Sequence, residues 1–150
     1  MAFEAGPGLT SVRSVVRLRD GSWVLLDRGN REVYVFDSDG RFSHPLGRSG
    51  QGPGEFNEMP TWIAEMPDGA LLIRDWPAGQ FHRFDAGSGF LEGWDVELSG
   101  SVLGIVWQDG EGATVLAEES ASSAPNERAR NPVSIVEVRP GSPPGERDRF

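Results

Sequence analysis

The segment "GRSGQGPGEF" at residues 47–56 contains four glycines and one proline, a composition that could bind a phosphate group through backbone amides. A P-loop requires Lys followed by Ser or Thr after its last glycine, and then a helix. In this sequence Glu55 and Phe56 follow instead, the Glu55 carboxylate would repel a phosphate, and Pro53 has no N–H. We therefore interpret the segment as a crossing between two structural units. Its glycines permit positive φ angles, and Phe56 would anchor the crossing in the core between the units.

The two histidines are the residues most suited to metal binding or proton transfer, because the chain has no cysteine. His44 and His82 fall within predicted strands. Only Asp85 lies near either of them at a plausible ligand spacing, and this aspartate belongs to a repeated motif. The pattern predicts structural or surface histidines, and it predicts no metal ligand.

Several aspartates have simpler interpretations than catalysis. "DSDG" at 37–40 begins like a calcium loop, but Arg41 stands in place of the third oxygen ligand and Phe42 in place of the glycine. A hairpin turn explains this segment better. Asp27 and Asp75 occupy equivalent positions of a repeat, which predicts that they cap turns at the end of a strand rather than form a catalytic pair.

The repeat sets the framework for these residues. Segments 15–42 and 63–90 match without a gap at a constant offset of 48 residues. The matched positions are Asp20-Gly21 with Asp68-Gly69, Asp27 with Asp75, Phe36-Asp37 with Phe84-Asp85, and Phe42 with Phe90. Asp-Gly pairs are strong hairpin signals, so each segment predicts a four-stranded antiparallel meander.

The strand interiors indicate how the sheets pack. "WVLL", "VYVF" and "LLI" are apolar at consecutive residues, so both faces of these strands must be covered. No segment shows the period and caps of a covering helix. Sheets stacked radially against one another satisfy this need, and the sequence predicts an all-β protein built of β-propeller blades.

The predicted organisation follows the repeat along the chain. A third, degenerate unit has strand-like segments at 102–108, 113–119 and 133–138, with Asp109-Gly110 at its first turn and a mobile loop at 120–132. We expect four regions: blade 1 with the glycine-rich connector (11–56), blade 2 (57–100), degenerate blade 3 (101–138) and an irregular tail (139–150).

The second unit and its lead-in resemble the NHL repeat of bacterial six-bladed propellers. The resemblance rests on "GRSGQGPGEFNEMPTWIAEMPDGALLIRD", followed by "QFHRFD". The first unit, "DGSWVLLDRGNREVYVFDSDG", also carries the Asn30-Arg31 pair typical of this pattern, whereas the second unit has Ala78-Gly79. The resemblance implies a six-bladed, NHL/TolB-like fold. At 48 residues per blade, six blades need about 290 residues, so we expect about 2.5–3 blades here.

Charge and composition narrow the partners. The chain has 14 basic and 23 acidic residues, a net charge of −9, which disfavours nucleic acid and anionic membranes. No apolar run is long enough to span a membrane as a helix. The N-terminal "MAFEAGPGLT" lacks the apolar core of a signal peptide, which predicts a cytoplasmic chain as given, although similar proteins are often exported.

We predict a non-enzymatic module that presents a loop face for binding a protein or a small molecule. In an up-and-down meander, the loop after the second strand and the connector lie on one face, and similar propellers commonly use that face. The candidate ligand-binding residues are Arg28, Asn30, Arg48 and Trp76. We predict no catalytic residue and no cofactor.

Two alternatives remain. One is that the chain is a fragment without an independent function. The other is that it is part of a metal-dependent, lactonase-like propeller hydrolase or lyase, in which a divalent metal lies in the central channel. This option rests on the resemblance in fold, because no ligand set can be transferred residue by residue. We also expect that three blades expose apolar faces, so that the chain self-associates towards a closed ring.

Overall fold

The computed structural model contains three β-sheets. It describes residues 6, 8–76 and 79–95 and the backbone of the strands that follow them, Gly100–Trp107, Ala113–Glu119, Val133–Val138 and Asp148–Arg149. No helix occurs in this part of the chain, and so none long and apolar enough to cross a membrane is found there. The predicted all-β class is confirmed. The chain divides into two units, Met1–Asp95 and Val96–Phe150, which are described separately below.

The first sheet is an antiparallel meander of four strands with a short fifth strand at its edge. The strands are β1 (Val12–Arg17), β2 (Trp23–Asp27), β3 (Glu32–Phe36), β4 (Phe42–Ser49) and β5 (Glu55–Phe56). Gly21 and Gly40 form the turns with φ angles of +91° and +83°, which explains why each turn ends in glycine. The hairpin predicted for "DSDG" is confirmed, because the Asp37 carboxylate accepts hydrogen bonds from the amides of Asp39 and Arg41.

The second sheet repeats the first. It is an antiparallel meander of β6 (Met59–Glu65), β7 (Leu71–Trp76), β8 (Gln80–Asp85) and β9 (Gly89–Asp95). The register is conserved as well as the order: Leu25 lies opposite Tyr34 in the first sheet, and Ile73 lies opposite His82 in the second. Both sequence segments therefore fold into equivalent four-stranded units, as the repeat predicts.

The two sheets stack face to face, with equivalent strands adjacent. Strand β1 lies beside β6, and β4 lies beside β9. The core between them consists of apolar side chains from both sheets and the crossing, namely Leu18, Val24, Leu26, Val33, Val35, Leu46, Phe56, Ile63, Leu71, Ile73 and Phe84. Strands β2, β3 and β7 are buried at four or five consecutive residues. This burial on both faces is what the consecutive apolar residues predict.

The glycine-rich crossing, residues 50–58, is called the connector below. It leaves the outer strand β4 and reaches β6, and Phe56 is completely buried in the core between the sheets. Gly54 has a φ of +74°, and a Cβ at this position would lie 2.5 Å from the Cβ of Phe90. The prediction that this segment connects the first sheet to the second is confirmed. The parallel pairing of β5 with the end of β4 was not expected.

The opposite face of the first sheet carries a second apolar cluster. Leu25, Tyr34 and Phe36 are buried there, with Trp23 and Phe42 packed against them. Gly6, which precedes Gly54 by one repeat, lies against Phe42 as Gly54 lies against Phe90. The described N-terminal backbone thus covers the first sheet at the point where the connector covers the second.

The C-terminal unit contains an antiparallel sheet in the order β10 (Gly100–Trp107), β11 (Ala113–Glu119), β12 (Val133–Val138) and β13 (Asp148–Arg149). The turn at Asp109-Gly110 and the loop at 120–132 lie outside the described residues. The expectation of an irregular tail at 139–150 is wrong at Asp148–Arg149, which pair with β12. Such a short pairing needs only backbone groups, and side-chain patterns therefore do not reveal it.

Candidate functional site

Two buried aspartates hold the start of the inner strand of each sheet. The Asp27 carboxylate accepts hydrogen bonds from the backbone N–H groups of Thr10 and Ser11, at 2.6 and 2.9 Å. The Asp75 carboxylate accepts the equivalent bonds from Glu58 and Met59, at 3.1 and 2.5 Å. These bonds fix the chain as it enters β1 and β6. They show a structural role for the periodic aspartates.

Asp27 also caps the turn that follows it. It accepts hydrogen bonds from the amides of Gly29 and Asn30. Burial alone would raise the pKa of Asp27, but these amides and those of Thr10 and Ser11 outweigh it, so its pKa is lowered. The turn-capping role predicted for Asp27 is confirmed.

The four predicted binding residues lie at one end of the two sheets, called here the connector side, where the loop 28–31 and the connector are found. Arg28 is exposed and donates to the sulfur of Met59, whose backbone pairs with that of Trp76. The Trp76 side chain is 41% exposed. The Arg48 guanidinium is occupied by an ion pair with Glu55 at 2.8 Å.

Asn30 is part of a hydrogen-bond network within the first sheet. Its side-chain amide donates to the Gly8 carbonyl at 2.9 Å and to the hydroxyl of Tyr34 at 3.2 Å. The Tyr34 hydroxyl in turn donates to Glu32. Burial and the neighbouring Glu32 raise the pKa of Tyr34 to about 12. Asn30 therefore completes the packing of the first sheet.

A cleft of about 510 Å³ lies on the connector side of the second sheet, and none of the four predicted residues lines it. This connector cleft has two walls. The connector contributes Gln51, Gly52, Pro53, Gly54, Glu55 and Asn57, and strands β8 and β9 contribute Gln80, His82, Phe90, Gly93, Trp94 and Asp95. A volume of this size is typical of small-molecule sites.

His82 is the unusual residue of the connector cleft. It is only 6% exposed, and neither ring nitrogen has a hydrogen-bond partner among the described residues. Burial lowers the pKa of His82, an effect that Asp75 and Asp95 partly oppose. The imidazole is therefore neutral at pH 7, with one N–H donor and one acceptor nitrogen. Buried polar groups are normally paired, so this side chain requires an explanation.

The equivalent position in the first sheet is filled and satisfied. His82 follows Tyr34 by one repeat of 48 residues, and both lie on the same face of their sheets. The Tyr34 hydroxyl reaches Asn30 and Glu32. In the second sheet the residue that corresponds to Asn30 is Ala78, which has no polar side chain, although its position lies outside the described residues. The second repeat therefore lacks the side chain that corresponds to Asn30, one of the two hydrogen-bond partners of the Tyr34 hydroxyl.

Two further differences widen the space around His82. Tyr34 lies opposite Pro45, whereas His82 lies opposite Gly93, and a Cβ at Gly93 would lie 3.5 Å from Nδ1 of His82. The imidazole is also shorter than a phenol ring. A position that the first sheet fills with its own side chains is therefore a cleft in the second.

The connector cleft combines aromatic, amide and acidic groups. Phe90 packs edge-on against Phe84 with ring centroids 5.6 Å apart. The Trp94 ring stacks on Phe81 at 6.4 Å, on the face of the second sheet opposite His82. The Glu55 carboxylate is already bound to the Gly52 amide and to Arg48, and both interactions lower its pKa. The site can offer hydrogen bonds from both donors and acceptors beside aromatic rings.

The described residues do not form a metal site. No group of three or more His, Cys, Asp or Glu side chains that could hold a metal ion occurs among them. His44 is engaged elsewhere, with Nε2 at 2.7 Å from the Ala86 carbonyl and Nδ1 at 2.9 Å from the Ser43 hydroxyl. The divalent metal of the alternative hypothesis therefore has no ligand set in this part of the chain.

Comparison with the solved structures shows the fold. A protein of Bacteroides fragilis described as exported matches with a TM-score of 0.61 and 15% identity, over 91% of this chain and 50% of its own. A Bacteroides caccae protein matches with a TM-score of 0.61 and 12% identity, over 91% and 48%. A streptogramin B lyase matches with a TM-score of 0.58 and 10% identity, over 99% and 57%. The chain thus spans about half the length of these structures.

The sequence comparisons give the family. No curated protein matches the chain. A family model for DUF5128, described as a 6-bladed beta-propeller, matches residues 9–105, more than half of the sequence. The expected partial six-bladed propeller is therefore confirmed, and the chain belongs to this family of six-bladed β-propellers.

Proposed function

We propose that the chain is a non-enzymatic binding module and that the connector cleft binds a small organic molecule. One observation carries the proposal: His82 is buried beside the cleft, and no described residue satisfies either ring nitrogen. An unsatisfied buried polar group costs about 1–3 kcal/mol, which a bound partner would recover. The sequence also predicts ligand binding on the connector side. The residues proposed here differ from those selected from the sequence.

A small molecule explains the cleft better than a protein partner. The cleft is a concave space between a backbone crossing and two strands, and the polar groups converge from both walls. The large apolar side chains on the described surface, such as Val15 and Leu91, are not among its lining residues.

The alternative, a metal-dependent hydrolase or lyase of the propeller class, has less support. The likeness to streptogramin B lyase has 10% identity and carries the fold alone. The described residues provide no metal ligand set. We assign no catalytic step to this chain.

The proposal is tested by screening the ¹⁵N-labelled chain with a library of small fragments by NMR. Binding should shift the backbone amides of Gln80, Gly93 and Asp95, which line the connector cleft. His82→Tyr places in the second sheet the residue that fills this position in the first, and it should remove these shifts.

The matched control is Leu91→Ala, on the same strand β9. Leu91 is 46% exposed and does not line the cleft, so its truncation should leave binding unchanged. Fragments that bind only elsewhere, or that shift the same signals equally in a folded His82→Tyr variant, would contradict the proposal.

A further inference from the structure

We infer that the ligand of the connector cleft is an uncharged compound with several hydroxyl groups, of the sugar or polyol class. This inference rests on the proposed function and adds the chemistry of the ligand. It follows from the charge of the described lining, from its mixture of donors and acceptors, and from its aromatic side chains.

The charge of the described lining disfavours an anion. Neither Arg nor Lys is among these lining residues, whereas Glu55 and Asp95 both are. Arg48, which lies beside the lining residue Glu55, is held by its carboxylate through two nitrogens at 2.8 Å. An anionic ligand would lose its hydration and meet like charge, without a cation to compensate.

The hydrogen-bonding groups favour a neutral ligand over an organic cation. The neutral His82 ring has one donor and one acceptor, and both nitrogens are buried without a partner. An ammonium group can only donate, so it would leave the imidazole N–H unsatisfied.

A hydroxyl group can satisfy either nitrogen of the His82 ring, because it both donates and accepts. The side-chain amides of Gln51, Asn57 and Gln80 likewise offer donors and acceptors to adjacent hydroxyls. A ligand with several neighbouring hydroxyls can therefore meet groups on both walls at once. This requirement distinguishes a polyol from a simple alcohol.

The aromatic side chains match the remaining surface of such a ligand. Phe90 lines the cleft beside the polar groups, and its ring centroid lies 6.0 Å from that of His82. A sugar ring has C–H faces that bury apolar area against aromatic rings while its edge carries the hydroxyls. The first sheet offers an internal parallel: the ring of Tyr34 lies edge-on to Phe42 with centroids 6.2 Å apart, and its hydroxyl is bound by Asn30 and Glu32.

The test compares three probes by NMR titration of the full chain: a neutral panel of monosaccharides and myo-inositol, methylammonium as a cation, and inorganic phosphate as an anion. At least one neutral compound should shift the His82 imidazole nitrogens and the backbone amide of Gly93, which line the cleft. Its affinity should fall at least tenfold in His82→Tyr and stay within twofold in Leu91→Ala. Gly93→Ala, which narrows the space beside the imidazole by one methyl group, should also weaken binding.

The outcomes separate this inference from the proposed function. If methylammonium or phosphate binds in a His82-dependent manner and no neutral compound does, the polyol inference fails while the binding role stands. If none of the probes shifts the cleft signals, the polyol inference also fails, and the fragment screen decides the binding role. Shifts by a sugar that persist in folded His82→Tyr and Gly93→Ala variants overturn the inference.

Discussion

Asp27 shows how a charged side chain becomes a structural element. It is completely buried, and its carboxylate accepts bonds from four backbone amides, those of Thr10, Ser11, Gly29 and Asn30. Hydrogen bonds to a charged acceptor contribute more than those to a neutral one. Its lowered pKa reflects this: the stability it contributes is present above pH 3.8 and is lost as the pH falls through the lowered pKa.

Asp27→Asn should lower the free energy of unfolding by about 1.5–3 kcal/mol, because the amide oxygen accepts more weakly and its NH₂ faces backbone donors. Urea unfolding at pH 7 measures the loss. The matched control is Asp39→Asn, which removes an exposed ion pair with Arg41 and should cost less than about 1 kcal/mol. Equal losses in both variants would show that Asp27 does not hold the start of β1.

His82 should make the stability of the chain depend on pH in a mildly acidic range. Its pKa is lowered from 6.5 by burial, against the opposing charges of Asp75 and Asp95. Below pH 6.5 the unfolded chain binds a proton that the folded chain does not, so stability should fall as the pH drops towards the lowered pKa. The slope for one such group is at most about 1.4 kcal/mol per pH unit.

Urea unfolding of the wild type and His82→Tyr at pH 7 and pH 5 measures this effect. The wild type should lose more stability between the two values than the variant, because tyrosine stays neutral throughout. The carboxylates with lowered pKa values, such as Asp27 and Asp85, act at lower pH and are shared by both proteins. An identical pH dependence in both proteins would show that folding does not lower the pKa of His82.

The connector is the element that joins the sheets and forms one wall of the cleft. Its backbone folds on itself, with Gly50 N–H bonded to the Phe56 carbonyl at 3.0 Å and Glu55 N–H bonded to the Gly52 carbonyl at 3.0 Å. The Glu55 side chain closes the same loop through the Gly52 amide. The Glu55 carboxylate, whose charge disfavours phosphate binding, thus stabilises the conformation of the connector.

Among the glycines of the connector, Gly54 should tolerate alanine least. The φ of +74° strains any L-residue, and the new Cβ would lie 2.5 Å from that of Phe90, so a loss of about 1–3 kcal/mol is expected in urea unfolding. Gly87→Ala is the control, because its Cβ would only touch Asp85 at 3.5 Å and should change stability by less than about 0.5 kcal/mol. Similarly small losses of stability in the two variants would contradict the prediction and show that the connector backbone shifts to accommodate the new methyl group at position 54.

At the scale of the molecule, the described residues form three sheets, whereas the family is described as six-bladed. The innermost strand of the first sheet, β1, exposes Val12 and Val15, which are 43% and 45% accessible. Exposed apolar side chains on an inner strand favour association. We propose that the partner of this surface is a second copy of the chain.

The 150-residue chain, expressed by itself, should therefore self-associate as its concentration rises. Sedimentation velocity over a range of concentrations measures this, and Val15→Arg should shift the equilibrium towards the monomer, because the contact would then bury an unpaired charge. A monomer at every concentration, stable and free of aggregation, would contradict the proposal. Leu91→Arg, on the outer strand β9, is the control and should leave association unchanged.

The sequence by itself determined the sheets and the joint between them. The offset of 48 residues, the Asp-Gly turns and the consecutive apolar residues of β2 and β7 depend on local geometry and on burial, which a single segment encodes. The same holds for Phe56, since a large aromatic residue after a glycine-rich crossing has few other places to lie. These features needed no knowledge of neighbours distant in the chain.

Only the tertiary structure decided the cleft. The sequence predicted His82 to be structural or on the surface, and the repeat offset already paired it with Tyr34, but the lack of partners for its ring is a property of all surrounding groups together. Asn57 from the connector, Gln80 from β8 and Gly93 from β9 meet there from different parts of the chain. A residue's type and spacing state which hydrogen bonds it can make, whereas packing determines which of them remain unmade.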